Sequence, residues 1–254
     1  MFWMKSPKPK RRLSQNFLED ESYQAEIVFS GAYQEDEVII EIGPGYGALT
    51  QHLHQQVGCI NLIEVDRDAL AHLKSVMPEG SANFIEANIL DVDLSNFGKC
   101  LRLIGNLPYH ISSPILLHVD RYREQVRDAI FMLQKEVVDR LVASPGEKAY
   151  GRLSIALQIH WEIEWLFDVP PEAFRPAPKV WSSVMCMRPR KNPPRIDRKR
   201  LDQILVTAFS SRRKTLRNAL KGIFTEEDLV KCSIDPQARP ENLSIDQYVQ
   251  LANF

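Results

Sequence analysis

Five short runs of apolar, β-prone residues recur along the first half of the chain with helical patterns between them. They are Val38–Ile42, Cys59–Val65, Asn83–Ala87, Leu101–Gly105 and Ala129–Leu133. Leu49–Val57, Asp68–Met77 and Ile115–Tyr122 read as the intervening helices. Strands alternating with helices cannot pair as hairpins. They predict an α/β fold whose parallel sheet is wound on both faces. After a helix near Arg152–Trp161 come two further apolar runs, Ile163–Val169 and Ser183–Met187, separated by the Pro-rich stretch Val169–Pro178. They predict an antiparallel pair closing the sheet. With 254 residues, 44% of them hydrophobic, the chain can bury one sizeable core, or a main domain with a small appendage.

Arg188–Pro194 reads RPRKNPP. Prolines forbid helix continuation there and the charges keep the segment wet, so it is a linker. Beyond it the pattern is helical: Asp197–Phe209, Lys214–Phe224, Thr225–Lys231 with Thr225 as N-cap, and a last helix after Ser244. This predicts a main domain over 1–190 and a small all-α domain over 191–254. The net charge of −1 conceals an asymmetry. Lys5, Lys8, Lys10, Arg11 and Arg12 crowd the start of the chain, and Arg188–Lys221 holds twelve basic residues against Asp197 and Asp202. Such clusters are either solvated surfaces or the footprint of a polyanion.

Cys59, Cys100, Cys186 and Cys232 form no CxxC pair, which excludes a zinc ribbon and a disulfide framework; no metal is expected. No apolar run approaches a membrane span. The basic N-terminus lacks the apolar stretch of a secretory signal, so a soluble cytoplasmic protein is expected.

Four features carry chemistry. Glu41-Ile42-Gly43-Pro44-Gly45-Tyr46-Gly47 follows the first strand. Glycines such as Gly43 and Gly45 let the backbone turn tightly against a ligand. A pyrophosphate site favours GxGxxG; GxGxG with an internal proline suits a nucleoside without phosphates. Glu64, at the end of the second strand, can accept both hydroxyls of a ribose, a role shared by NAD and S-adenosylmethionine enzymes.

Gly105-Asn106-Leu107-Pro108-Tyr109 ends the fourth strand. The exocyclic amine of adenine is a poor nucleophile because its lone pair is delocalised into the ring. The Asn106 carbonyl and a neighbouring backbone carbonyl can accept its two hydrogens and draw the nitrogen toward a tetrahedral shape. Pro108 stiffens the turn and Tyr109 offers a flat face to the base. In the Phe174–Val180 loop, held extended by prolines, Phe174 is the candidate for the other face of an extruded base.

These residues together resemble the ribosomal RNA adenine dimethyltransferases, most closely the bacterial small-subunit (16S) branch linked to kasugamycin sensitivity. The resemblance runs from Ser14-Gln15-Asn16-Phe17-Leu18 through the glycine loop and Asn106–Tyr109. It continues through Ser112-Ser113-Pro114, Gln134-Lys135-Glu136-Val137 and Tyr150-Gly151-Arg152-Leu153-Ser154 to the Phe174–Val180 loop. It implies a Rossmann-like class I methyltransferase sheet, a small helical C-terminal domain and S-adenosylmethionine as methyl donor. The implied reaction is N6-dimethylation of two adjacent adenosines in a 3′-terminal hairpin of 16S rRNA, within the small subunit or its precursor, by a monomer. It implies that Asn16 and Leu18 close over the cofactor, that Gly43 lies under its methionine end and Glu64 on its ribose, and that Asn106 touches both cofactor and target amine. Where the family usually has Gly-Asp, this chain has Ala87-Asn88; Asn88 keeps a carbonyl acceptor without the charge, and Ile89 would pack on the cofactor's adenine. Competing readings are a large-subunit rRNA methylase of the macrolide-resistance type, a non-catalytic RNA-binding assembly factor and an NAD-dependent dehydrogenase. Leu107, Ser112-Ser113-Pro114 and the basic helical tail favour the small-subunit group.

Overall fold

The computed structural model describes residues 16–254. The basic arm with Lys5, Lys8, Lys10, Arg11 and Arg12, and Ser14-Gln15 of the first motif, lie outside the described residues. In chain order the regular elements begin with β1 (Phe17–Leu18), α1 (Glu21–Phe29), β2 (Ile39–Ile42), α2 (Thr50–Leu53), β3 (Ile60–Glu64), α3 (Arg67–Val76) and β4 (Ala82–Glu86). Next come β5 (Leu101–Asn106), α4 (Ser112–Arg121), β6 (Val126–Gln134), α5 (Lys135–Val142), α6 (Arg152–Gln158), β7 (Trp161–Val169), β8 (Phe174–Arg175) and β9 (Ser182–Pro189). The chain ends in α7 (Arg198–Ser210), α8 (Leu216–Ala219), α9 (Glu226–Lys231) and α10 (Ile245–Asn253).

The described chain divides into two compact units. One holds the residues up to Val138 together with Ile163–Pro189; the other holds Asp139–Glu162 and Arg190–Phe254.

The first unit is built on a seven-stranded sheet in the order β4-β3-β2-β5-β6-β9-β7. The five strands expected to be parallel are parallel, and β9 joins β6 antiparallel, with β7 beyond it. Strands covered on both faces need apolar residues throughout, and β2 (IIEI) is buried at all four positions. From β2 the chain steps outward to β3 and β4, then returns to β5 on the other side of β2. The strand order therefore reverses between β2 and β5, where open α/β sheets leave a crevice at the carboxyl ends of their strands. Gly105 permits the close approach there: a Cβ on it would stand 2.5 Å from the Ile42 carbonyl oxygen.

At the opposite end of these strands lies a buried ion network. Arg102 in β5 is the cross-strand partner of Asp128 in β6. Its Nε donates to Asp128 Oδ1 at 2.9 Å and its Nη2 to Oδ2 at 2.7 Å. Nη1 donates to Glu37 Oε2 at 2.6 Å, Nη2 also reaches the Gly31 carbonyl at 2.6 Å, and the guanidinium lies 4.5 Å from the centre of the Tyr33 ring. The network fixes the register of β5 on β6 and ties both to the segment before β2.

The second unit is helical. Tyr150, Ile155 and Ile159 pack with Leu201, Ile204, Leu205, Leu216, Tyr248 and Leu251 in a core of its own. Thr225 caps α9 as expected, within a capping box shared with Asp228, and Ser244 caps α10 in the same way with Gln247. The tail is helical as the sequence predicts, but the unit is larger than 191–254. Asp139–Glu162, with α6, belongs to it because its apolar residues find their partners on α7 and α10. Two helices are shorter than predicted. Leu49–Val57 condenses to α2, and Lys214–Phe224 to α8, beyond which Gly222 takes a φ of +96° that helices do not contain.

Candidate active site

A cavity opens at the carboxyl ends of β2, β3 and β5, at the reversal of strand order. Its wall includes Asn16, Leu18, Gly43, Gly45, Glu64, Asn88, Ile89, Asn106, Leu107, Pro108 and Tyr109. The structure thus brings every predicted site residue to one place except Phe174.

The floor is the glycine loop. Gly43 and Gly45 both have positive φ, +68° and +55°, which an L side chain rarely adopts. Nothing lies within 4 Å of the Cβ position of Gly43, so the backbone itself faces open space where a ligand can approach. The Gly43 N–H donates to the Ile63 carbonyl at 2.9 Å, joining the loop to β3.

Glu64 stands at the end of β3, buried, on the same wall. Its Oε1 accepts the N–H groups of Val65 and Asp66, each at 2.8 Å, and its Oε2 accepts that of Gly45 at 3.0 Å. Burial pushes its carboxyl above the usual range, against the pull of these three N–H donors. The carboxylate is thereby oriented before any ligand arrives, with lone pairs left for hydroxyl donors.

Glu41 is the residue that sequence reasoning passed over. It lines the cavity, is fully buried, and its Oε2 accepts the Thr50 hydroxyl at 2.7 Å. Burial pushes its carboxyl up to about 8, the Glu64 charge adding to the rise and the Thr50 hydrogen bond opposing it. A lone acid inside an otherwise apolar strand was the available signal. The aromatic part of the wall was missed too: Phe17 meets Tyr46 edge-on, ring centres 5.5 Å apart.

Asn88 is exposed at the end of the segment after β4. Its carbonyl oxygen accepts the Leu90 N–H at 3.1 Å, capping a short turn over Ile89–Asp91. The acceptor expected for a ligand is therefore already half used, leaving one lone pair and the amide nitrogen. Ile89 beside it is buried and lines the cavity.

At the end of β5, Asn106 Nδ2 donates to the Asn16 carbonyl at 3.4 Å. With the nitrogen engaged, the carbonyl oxygen is the end left to accept. In the following turn the Pro108 carbonyl takes the Ile111 N–H and the Tyr109 carbonyl takes the Ser112 hydroxyl. The Leu107 carbonyl receives no donor among the described hydrogen bonds and can accept one. Leu107 itself is anchored by its N–H to the Met132 carbonyl at 3.1 Å. The Tyr109 hydroxyl lies 2.6 Å from Ser182 Oγ, and burial raises its phenol above the ordinary value.

The expectation for Phe174 is corrected. Its register in β8 sets it opposite Leu18 of β1, and its ring is buried among Leu18, Val169 and Ala173 in the sheet's core. An unpartnered phenyl ring gains more from that burial than from a solvent-facing loop. Leu18 keeps its place on the cavity wall, pinned by Gln24 Nε2 donating to its carbonyl at 2.7 Å.

The site thus joins a glycine loop and a buried carboxylate to a pair of carbonyl oxygens beside an aromatic face. The model of the family described as "Ribosomal RNA adenine dimethylase" matches residues 7–254. The chain belongs to the ribosomal RNA adenine dimethylase family. This dimethylase is 46% identical over 248 residues to the "Ribosomal RNA small subunit methyltransferase A" of Nitrosospira multiformis, covering 97% of this chain and 96% of that one. It is 43% identical to the protein of the same name from Dechloromonas aromatica, over 99% of each chain. The dimethylase shares its fold with a dimethyladenosine transferase from Plasmodium falciparum: TM-score 0.81, 22% identity, covering 92% of this chain and 95% of that one. The Rossmann-like class I methyltransferase sheet is therefore present, as expected. Among the described residues no helix is long and apolar enough to cross a membrane.

Proposed function

We propose that this dimethylase methylates the N6 amines of two adjacent adenosines in a 3′-terminal hairpin of 16S rRNA, with S-adenosylmethionine as donor. The observation that carries the reading is the single cavity in which Gly43, Gly45 and Glu64 stand with Asn106, Leu107 and Tyr109. When bound, S-adenosylmethionine supplies an electrophilic methyl group. The chain's own residues prepare the nucleophile. The Asn106 and Leu107 carbonyls accept the two hydrogens of the amine, so its lone pair localises and points away from them. Tyr109 covers the base, held in place by Ser182. No strong base is needed, because the amine loses its proton after the new N–C bond has formed. Glu64 accepts the ribose hydroxyls of the donor, while Asn88 and Ile89 bound its adenine.

The small-subunit names of relatives 43–46% identical over nearly the whole chain support that target over large-subunit RNA. In the second unit, Arg198, Lys199 and Arg200 occupy the first turn of α7, where the helix dipole disfavours cations. We infer that this basic unit places the enzyme on RNA. We assign the enzyme to the cytoplasm, acting as a monomer on the small subunit or its precursor.

The test is methylation of small subunits from a strain lacking this activity, with the product nucleoside identified by mass. Dimethyladenosine in 16S rRNA is expected. Label appearing only in large-subunit RNA, or RNA binding without transfer, would replace this reading with the resistance-type methylase or the assembly factor.

A further inference from the structure

Two tryptophans stand exposed beside the site and are unused by the reaction. Trp165 in β7 is 47% exposed, and Trp181, immediately before β9, is 50% exposed. Leaving indoles in water forgoes a large gain from burial.

One network holds the Trp165 indole and the backbone of Trp181. Trp165 Nε1 donates to Asp168 Oδ1 at 2.9 Å, and Ser183 Oγ donates to the same oxygen at 2.6 Å. Asp168 Oδ2 pairs with Lys135 Nζ at 2.8 Å, and the Lys135 backbone N–H donates to the Trp181 carbonyl at 2.9 Å. Burial alone would raise the Asp168 carboxyl; the hydrogen bonds from Lys135, Ser183 and Trp165 outweigh it and keep the group ionised. Ser182, the residue after Trp181, bonds the Tyr109 hydroxyl. One residue and one hydrogen bond thus separate Trp181 from the tyrosine of the site. Arg175 of β8, 3.9 Å from Glu19, and Lys179 lie exposed between β7 and β9, and Glu164, next to Trp165, is paired with Arg188 at 3.5 Å. Glu19, Glu164 and Asp168 each have a cationic partner, and Lys179 adds a further exposed cation.

We propose that Trp165 and Trp181 form a stacking platform for the unpaired nucleotides that flank the target adenosine. An adenosine drawn into the cavity leaves its neighbours without a stacking partner. Every base has a π-face, so two indoles bordered by cations receive such neighbours whatever their sequence. The platform rests on the proposed RNA substrate. It acts on capture of the RNA and not on chemistry, because neither indole lines the cavity.

The full-length enzyme decides the matter in two assays. One is the anisotropy of a short labelled oligoadenylate; the other is methylation kinetics on unmethylated small subunits. Trp165→Ala and Trp181→Ala should each weaken oligoadenylate binding and raise the KM for RNA about tenfold. The kcat at saturating RNA and the calorimetric affinity for S-adenosylmethionine should hold, and Trp→Phe at either position should restore most of the loss. Unchanged RNA affinity in both alanine variants overturns the platform. So does a phenylalanine variant as weak as alanine with a lowered Tm, which would make the indoles structural. If the unsubstituted enzyme transfers no methyl group to RNA, the functional reading falls, and the oligoadenylate assay still decides the platform.

Discussion

Asn106 concentrates the proposed chemistry in one side chain, because its nitrogen donates to the Asn16 carbonyl and its oxygen is left for the substrate amine. Asn106→Ala removes an acceptor whose hydrogen bond strengthens as the amine pyramidalises. The loss is about 3 kcal/mol of barrier, a rate decrease of about a hundredfold, with RNA affinity nearly unchanged. Single-turnover methylation beside an RNA-binding assay separates the two quantities; near-normal turnover would remove Asn106 from the mechanism. Glu64→Ala should weaken S-adenosylmethionine binding by about 1.5–3 kcal/mol, the range for hydrogen bonds to a charged group. Asn88→Asp keeps the cap on Leu90 and converts the remaining amide nitrogen into an acceptor, so calorimetry should show equal or tighter binding. Glu41 makes a prediction about pH. Its carboxyl is raised from 4.5 to about 8 on folding, so between those values the native state holds a proton the unfolded chain has lost. Stability from this group is therefore full below the lower value and declines as pH rises through about 8. Glu41→Gln cannot ionise. Its Tm relative to the parent should rise between pH 5 and pH 9, and a constant difference would refute the assignment.

At the scale of elements, Arg102 does for the sheet what Asn106 does for the reaction. Arg102→Ala strands buried Asp128 without its cation, while Glu37 keeps Arg127, at a cost of about 3–5 kcal/mol. Urea unfolding reads this as a lower midpoint; a loss under 1 kcal/mol would mean the network is solvated in the native state. The same elements show what a linear sequence discloses. β2, β3 and β5 were legible to within a residue or so, because strands covered on both faces must be apolar along their length. α1 (ESYQAEIVF) was not, because its apolar residues form no stripe; Asp20 caps it, and its place is set by packing against the sheet. The glycine loop and Asn106–Tyr109 were legible because their chemistry lies in contiguous residues. Phe174 was misassigned because β1–β8 pairing, a long-range event, decides which way its ring turns. Glu41 was signalled only as a lone acid in an apolar strand; the burial that raises its carboxyl is tertiary and gave it no role in the sequence.

At the scale of the whole molecule, the basic tail resolves into cations with different duties. Arg212 donates to the Lys148 carbonyl at 2.7 Å and pairs with Glu241 at 3.6 Å, and Arg217 pairs with Glu226 at 3.3 Å. Arg213 and Lys214, between them, make no ion pair among the described residues. Replacing Arg213 and Lys214 with alanine should weaken small-subunit binding and flatten its log–log salt dependence, by about 0.7–0.9 for each phosphate no longer neutralised. Cofactor affinity should stay the same. An unaltered salt slope would make this cluster an ordinary solvated surface and turn attention to the basic residues at the start of the chain. The helical unit that bears these cations is assembled from two separated stretches of chain, Asp139–Glu162 and Arg190–Phe254. During synthesis Tyr150 and Ile155 leave the ribosome long before Tyr248 and Leu251, the residues against which they are buried. A chain halted before Ser244 would have α7 but not α10 to cover Tyr150 and Ile155, leaving a half-open core that chaperones and proteases can reach. The core of this unit closes only when both stretches have been made, so its earlier half waits on the later one for cover.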